Sequence, residues 1–341
     1  MRMLRPILAV IALQLFASAV GAQATRLKIA TMAPDGSFWM NELQAGADEI
    51  ERRTDGRVGL RFYPGGTMGS DSAVLRKIRI GQLQGGVFLS GGLATLDPAL
   101  EIYNLPLLFR DYDEVDAVRR VMDPVLISRL AETGFAAFGI TETGFTYLMS
   151  AAPTRTFAEL RGRKAWIPQD DAISLEIVSA AGLSPVPLPI SDVMTGLQTG
   201  LIDTVAAPPV GAIALQWFTK APFVTDLPIT YVCGAIVIAD KALSGLSQAD
   251  REVVHEALGD VSAALDARTR ADNEAAREAL IKQGVTFVTP GPETQQQWRE
   301  IAARATERLI AKQGYDPAVV AQIQRVIADY RANRPAPEPV D

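Results

Sequence analysis

The chain contains one cysteine, Cys233, and one histidine, His255. A single thiol excludes an intramolecular disulfide, and without a second histidine or a cysteine pair no transition-metal ligand set is available. Cys233 lies in the apolar run Tyr231 to Ala239 and reads as a small buried hydrophobe. A Ser-His-Asp or Cys-His mechanism would depend on His255 alone, which sits in a helical pattern among Glu and Val residues with no nucleophile motif near it. Excess positive charge is also missing. Lys and Arg number 33 against 39 Asp and Glu, a net charge of -6, which argues against nucleic acid because a phosphate-binding face needs a basic surplus. The Gly65-Gly66 pair lacks the spacing of a phosphate loop and reads as a turn. These absences leave little room for an enzyme, and they imply no cofactor.

What the chain does have begins with a targeting pattern. Arg2 and Arg5 precede an apolar run from Pro6 to Val20, and small residues follow at Gly21, Ala22 and Ala24. This three-part pattern predicts a cleaved signal peptide over residues 1–24, because the run is short for a membrane span and ends in small residues. No cysteine stands near the cleavage site to carry a lipid, so export to a bacterial periplasm is expected. The remainder, roughly 315 residues, is long enough for two domains, and its 48% hydrophobic and 21% charged content suits a sizeable core.

Strand and helix patterns alternate through the first half. Apolar runs at Leu27 to Thr31, Val58 to Tyr63 and Gly85 to Leu89 read as strands, each ending in a turn cluster: Met32 to Ser37, Gly65 to Ser70 and Ser90 to Gly92. Between them run amphipathic helices, capped by Ser37 and by Ser70 or Asp71. This order predicts an α/β fold with a doubly wound sheet of right-handed parallel crossovers and the three turns on one rim. Further strands are expected at Phe135 to Ile140, Phe145 to Met149, Val224 to Leu227, Val232 to Ile238 and Val285 to Val288. Ser247 caps a helix running to about Gln283, and helices follow at Thr294 to Lys312 and Pro317 to Ala332. The proline-rich tail 333–341 is expected to be disordered.

The stretch from Gly144 to Pro208 looks like a pocket wall. Its strands at Ser184 to Ile190 and before Pro208 sit where an α/β sheet presents its carboxyl edge to a ligand. Asp170-Asp171 reads as a helix cap rather than a paired-carboxylate site, and Arg119-Arg120 and the cluster Arg161, Arg163, Lys164 read as solvated, the rim charges also offering contacts to a membrane permease.

Five stretches in order, IATMAPDGSFW, AGADEIERRTDGRV, FYPGGTMGSDSAVLRKIRIGQL, LPLLF and GRKAWIP with PLPISDVMTGLQTGLIDTV, resemble the substrate-binding proteins of tripartite ATP-independent periplasmic (TRAP) transporters. The resemblance covers about Arg26 to Tyr330. It implies a two-lobed periplasmic binding protein fold, with a ligand cleft between lobes and a long helix spanning both. The lobes expected are residues 25–143 plus 232–271, and 144–231 plus 272–332. It also implies capture of a small-molecule ligand and its delivery to TRAP-type membrane permease subunits.

The family pattern around its ligand clamp is Lys, apolar, Arg, apolar, Pro, and the arginine pairs with the carboxylate of a small organic acid. Here the five residues are Lys164, Ala165, Trp166, Ile167 and Pro168. Thr146 stands where the family often has a second arginine, and Ala207 where an asparagine commonly precedes Pro208. An unpaired buried carboxylate costs several kcal/mol, so these exchanges point to an apolar ligand walled by Met32, Phe38, Trp39, Thr146, Trp166, Ile190, Ala207 and Pro208. The alternative is an organic acid held by a relocated cation such as Arg61 or Arg76. A quaternary amine stacked on the indole also fits. Loss of the clamp resembles a branch of the family associated with a periplasmic tetratricopeptide-repeat protein, a sensible hand-over partner for a poorly soluble ligand.

Overall fold

The computed structural model describes residues 24–169 and 171–333, so all but the last residue of the expected signal peptide, Asp170 and most of the proline-rich tail lie outside the described residues. Among the described residues, nine strands form one sheet: β1 (Thr25–Thr31), β2 (Val58–Tyr63), β3 (Gly85–Leu89), β4 (Phe135–Ser150), β5 (Lys164–Ile167), β6 (Ser184–Pro187), β7 (Thr204–Ala207), β8 (Phe223–Ala239) and β9 (Thr286–Val288). The order is β2-β1-β3-β8-β4-β7-β5-β6, with β9 beside β8.

The sheet is mixed, not wholly parallel as the strand-helix alternation predicts. β1 pairs in parallel with β2 and β3, and β5 with β6 and β7. Between these triplets run β4 and β8, antiparallel to each other from Phe135↔Ala239 to Ser150↔Phe223. The four short strands expected at 135–140, 145–149, 224–227 and 232–238 are therefore two long ones. Local patterning split them because the ladder is irregular between Glu142 and Gly144 and at three neighbouring places, and such bulges break the two-residue period without ending the strand. Gly144 itself has φ 107, and a Cβ there would come within 2.7 Å of Asn273 Nδ2 and 3.3 Å of the Tyr112 hydroxyl. Only glycine fits that close, left-handed position.

The caps form as the sequence indicates. Ser37, Ser70 and Ser247 accept hydrogen bonds from the amides of Met40, Ala73 and Asp250, each three residues on. The helix Gln248–Lys282, 35 residues, is roughly 52 Å long at 1.5 Å per residue. It packs on the helix Phe38–Arg53 toward its start, crosses β4, and meets the short helix Pro209–Ala214 toward its end. One helix thus braces both triplets of the sheet. None of the described helices is long and apolar enough to cross a membrane.

Arg119 is not solvated. It is 9% exposed, and its guanidinium donates to Asp266 at 3.0 Å, Asp123 at 3.0 Å and the Ile140 carbonyl at 2.6 Å. A guanidinium can be buried when its forked donors all find acceptors, which its own helix, the long helix and β4 supply here. Arg120, one residue on, is exposed as expected.

Candidate ligand-binding cavity

In an open α/β sheet, ligands gather at the carboxyl ends of parallel strands. The two parallel triplets point their carboxyl ends at a common space, and a cavity of about 450 Å³ lies there, within the usual range for small-molecule sites. Turns after β1 and β2 supply Met32 and Gly66, and the one-turn helix Ser90–Leu93, where a turn was expected, supplies Gly91 after β3; the segments after β5, β6 and β7 supply Pro168, Leu188, Ile190 and Pro208. The central strands β4 and β8 form the floor with Thr141, Thr146, Val232 and Gly234. The three segments expected on one rim do share it. Across the opening, Ile190 comes within 3.9 Å of the point a Gly66 Cβ would occupy.

Seven of the eight expected wall residues line this cavity: Met32, Trp39, Thr146, Trp166, Ile190, Ala207 and Pro208. Phe38 does not. Its ring lies beneath the Arg268 guanidinium, 4.1 Å from the ring centroid, and packs toward the core between the first strands and the long helix. Neighbouring side chains on a helix diverge, so Trp39 and Leu43, four apart, share the cavity face while Phe38 is turned away.

Trp166 belongs to both the wall and the core. It is 9% exposed, its indole N–H donates to the Leu188 carbonyl at 2.9 Å, and its ring meets Trp217 edge-to-face at 5.0 Å. With the N–H engaged, it offers a ligand only apolar ring surface. Thr146 is similarly occupied, its hydroxyl 2.6 Å from that of Thr230.

Sequence reasoning missed Trp217, Leu188, Asn104, Asp171 and Glu142 as wall residues. Asp171 caps the helix Ala172–Ala180 as expected, accepting from the Ser174 amide at 2.8 Å and hydroxyl at 2.7 Å, yet it also faces the cavity. Burial pushes its carboxyl up from the ordinary range, against the pull of the Ser174 donors. Nearby, burial and then the Asp171 charge push Glu101 up to about 8, although a hydrogen bond from Tyr315 opposes this. Glu142 is 1% exposed, is paired with Arg270 at 2.9 Å and accepts a hydrogen bond from the Tyr231 hydroxyl at 2.9 Å. Its signal in the sequence was nil, since its partners lie on β8 and the long helix, 89 and 128 residues away.

The described residues around the cavity include Asp71, Glu142 and Asp171 but neither Lys nor Arg. Arg61 and Arg76, the candidates for a relocated cation, are both exposed and off the wall, Arg61 lying 5.2 Å over the Tyr63 ring. Among the described residues no group of His, Cys, Asp or Glu converges to hold a metal. His255 packs edge-to-face on Phe138, away from the cavity, and Cys233 is buried.

A cavity at the carboxyl ends of two strand triplets suits ligand capture, and the comparison with known proteins identifies the family. The model of the DctP family, bacterial extracellular solute-binding protein family 7, matches residues 29–313. The chain belongs to that family. Its relatives include the C4-dicarboxylate-binding periplasmic protein DctP of Rhodobacter capsulatus, 23% identical over 77% of this chain and 80% of that protein. The sialic acid-binding periplasmic protein SiaP of Vibrio cholerae is 26% identical over 76% and 80%. A match to the uncharacterized protein YiiZ of Salmonella typhimurium, at 28% identity, spans about half of each chain: 46% of this one and 48% of that one. Among solved structures, DctP7 of Bordetella pertussis, a solute receptor binding pyroglutamic acid, superposes with a TM-score of 0.82 at 19% identity, covering 89% of this chain and 100% of that one. A TRAP periplasmic solute-binding protein of Xanthobacter autotrophicus with bound galacturonate gives 0.79 at 21%, covering 89% and 99%. These likenesses establish the two-lobed fold. As a family 7 solute-binding protein, the chain is a receptor and not an enzyme.

Proposed function

We propose that this protein captures a largely apolar ligand that is not a simple carboxylate and delivers it, in the periplasm, to a TRAP-type permease. The observation that carries this reading is the wall: Trp166 stands where the family pattern has its clamp arginine, Trp217 packs against it, and the described wall residues include no Lys or Arg. Four of the five proteins named above are described with acids, and a carboxylate needs a paired donor to leave water. Here an incoming carboxylate would meet Asp71 and Asp171 instead. Burial of apolar ligand surface against the two indoles is worth about 25 cal/mol per Å².

Closure of the lobes is proposed at the crossing points near Thr143 and Val232, where β4 and β8 pass from one strand triplet to the other. An apolar ligand also favours transfer between proteins, for which a periplasmic tetratricopeptide-repeat protein is the partner the sequence resemblance implies. The test is a melting series with succinate, malate, fumarate, pyruvate and sialic acid at millimolar concentration. A ligand at a hundred times its dissociation constant adds about 2.7 kcal/mol, so the expected absence of any shift is easily read. A clear rise in Tm with any of these acids would overturn the reading.

A further inference from the structure

The bulge at which β4 passes from one strand triplet to the other leaves one residue over. Glu142 stands opposite Cys233 and Gly144 opposite Val232, so Thr143 has no residue facing it on β8. Its carbonyl accepts instead from Asn273 Nδ2 of the long helix, at 3.0 Å. The other half of that amide is engaged as well: Asn273 Oδ1 accepts from the Val210 N–H at 3.2 Å. Val210 is the second residue of the short helix Pro209–Ala214. The first amides of a helix have no intrahelical acceptor, and Pro208, at the cap position, carries no side-chain oxygen to supply one. Asn273 supplies it from outside. A carbonyl on one side and an N–H on the other fix which way the amide faces. At 6% exposed, the side chain is shielded from water, so both bonds favour whichever conformation keeps them.

Three parts with different duties meet at this amide. Along the long helix, Thr269 donates to the Glu142 carbonyl at 3.1 Å just before the bulge, and Arg277 pairs with Asp226 at 2.8 Å beyond it. Asn273 stands between these ties, about one helical turn from each. Gly144, the residue after Thr143, leaves room for it, since a Cβ there would come within 2.7 Å of Asn273 Nδ2. The short helix bears Gly211 and Ala214 of the cavity wall and leads to Trp217. Across the cleft the two triplets are in contact. Ile190 reaches the Gly66 turn at the opening, and Gly91 is flanked by Glu101 from the stretch after β3 and Asp171 from the segment after β5, at 3.8 and 3.9 Å from the position of a Cβ there.

We infer that Asn273 is a positioning residue that couples lobe closure to the cavity wall. It holds the Thr143 bulge and the wall-bearing helix to one point on the long helix, so bending at Thr143 moves Trp217 with it, and the closed cleft keeps both hydrogen bonds. This rests on the closure about Thr143 proposed above.

The test places spin labels at Thr67→Cys and Thr195→Cys, exposed positions near the Gly66–Ile190 contact in the chain that do not line the cavity; the native Cys233 is buried. Pulsed dipolar spectroscopy then reads the closed and open populations of the purified protein, without ligand and with 1-octanol as an apolar probe, and calorimetry reads octanol affinity. Asn273→Asp keeps an oxygen for Val210 and loses the N–H for Thr143, whereas Asn273→Ala loses both. Each should lower the ratio of closed to open at least threefold. Octanol affinity should fall by the same factor as the closed fraction, because apparent affinity scales with the competent fraction. Urea melts on the same variants separate this from a purely structural role: a lower midpoint with the closed-to-open ratio unchanged in both variants overturns the assignment. A wild type with no short-distance population in either condition overturns closure about Thr143 and the assignment with it. Absence of octanol binding, with the ligand-free populations shifted in both variants as expected, overturns the apolar reading alone and upholds the role of Asn273.

Discussion

Replacing Trp166 by alanine separates its two duties, because the structure assigns it a measurable share of each. Its ring packs on Trp217 and within the cluster containing Met149, Val193, Leu197 and Val205, so truncation should cost folding stability of about 3–5 kcal/mol. Part of that loss is the Leu188 carbonyl, left without the indole donor now 2.9 Å away. The exposed edge of the ring lines the cavity, so the same change should weaken ligand binding by about 2 kcal/mol, close to thirtyfold. Denaturant unfolding and calorimetric binding, run on one preparation, read the two quantities. The ligand should be the molecule released from the wild-type protein and identified by mass spectrometry. Trp166→Phe is the control that keeps much of the ring area and removes the N–H; it should retain most affinity while losing stability. Stability lost with affinity unchanged would mean that Trp166 is core alone, and the argument for an apolar ligand would lose its main support.

Three other outcomes are expected. Glu101, with an ordinary value of 4.5, is held at about 8 in the folded protein, so the native state binds its proton more tightly than the unfolded chain does. Stability must then fall as pH rises from about 4.5 to about 8, and Glu101→Gln should flatten that slope in urea melts taken across this window; an unchanged slope refutes the assignment. Glu142→Gln leaves Arg270 and Arg119 facing a neutral partner in a buried network and should destabilise the fold by about 3–5 kcal/mol, measured by chemical denaturation, whereas a loss below 1 kcal/mol would show the network is slack. Small-angle scattering should register a smaller radius of gyration at ligand saturation, and an identical radius would count against lobe closure about Thr143 and Val232.

Much of this protein is decided locally and is legible one segment at a time. Ser37, Ser70 and Ser247 cap helices because a side-chain oxygen three residues before a free amide needs no tertiary partner. Glycine-bearing segments end β1, β2 and β3, the last of them a one-turn helix, and placing them on one rim required only the handedness of parallel crossovers. The wall residues Met32, Trp39, Trp166, Ile190 and Pro208 follow from the same logic, since they stand at the carboxyl ends of strands. Long-range pairing decided the rest. The bulges between Glu142 and Gly144 exist because β4 must stay paired with β8 while passing from one triplet to the other, and that register has no local signature. Arg119 is buried because Asp266 on the long helix and the Ile140 carbonyl on β4 join Asp123 of its own helix in accepting from it, whereas its adjacent residue Arg120 suggests a surface charge. Phe38 left the cavity for Arg268, a partner 230 positions along the chain by their numbering. The carboxyl groups around Gly91 come together only when the two strand triplets fold against one another. The motifs from Ile29 to Val205 carried the resemblance to a solute-binding family, because they are read along the chain; the charge its cavity presents depends on which side chains, remote in sequence, the packed sheet turns toward a common space.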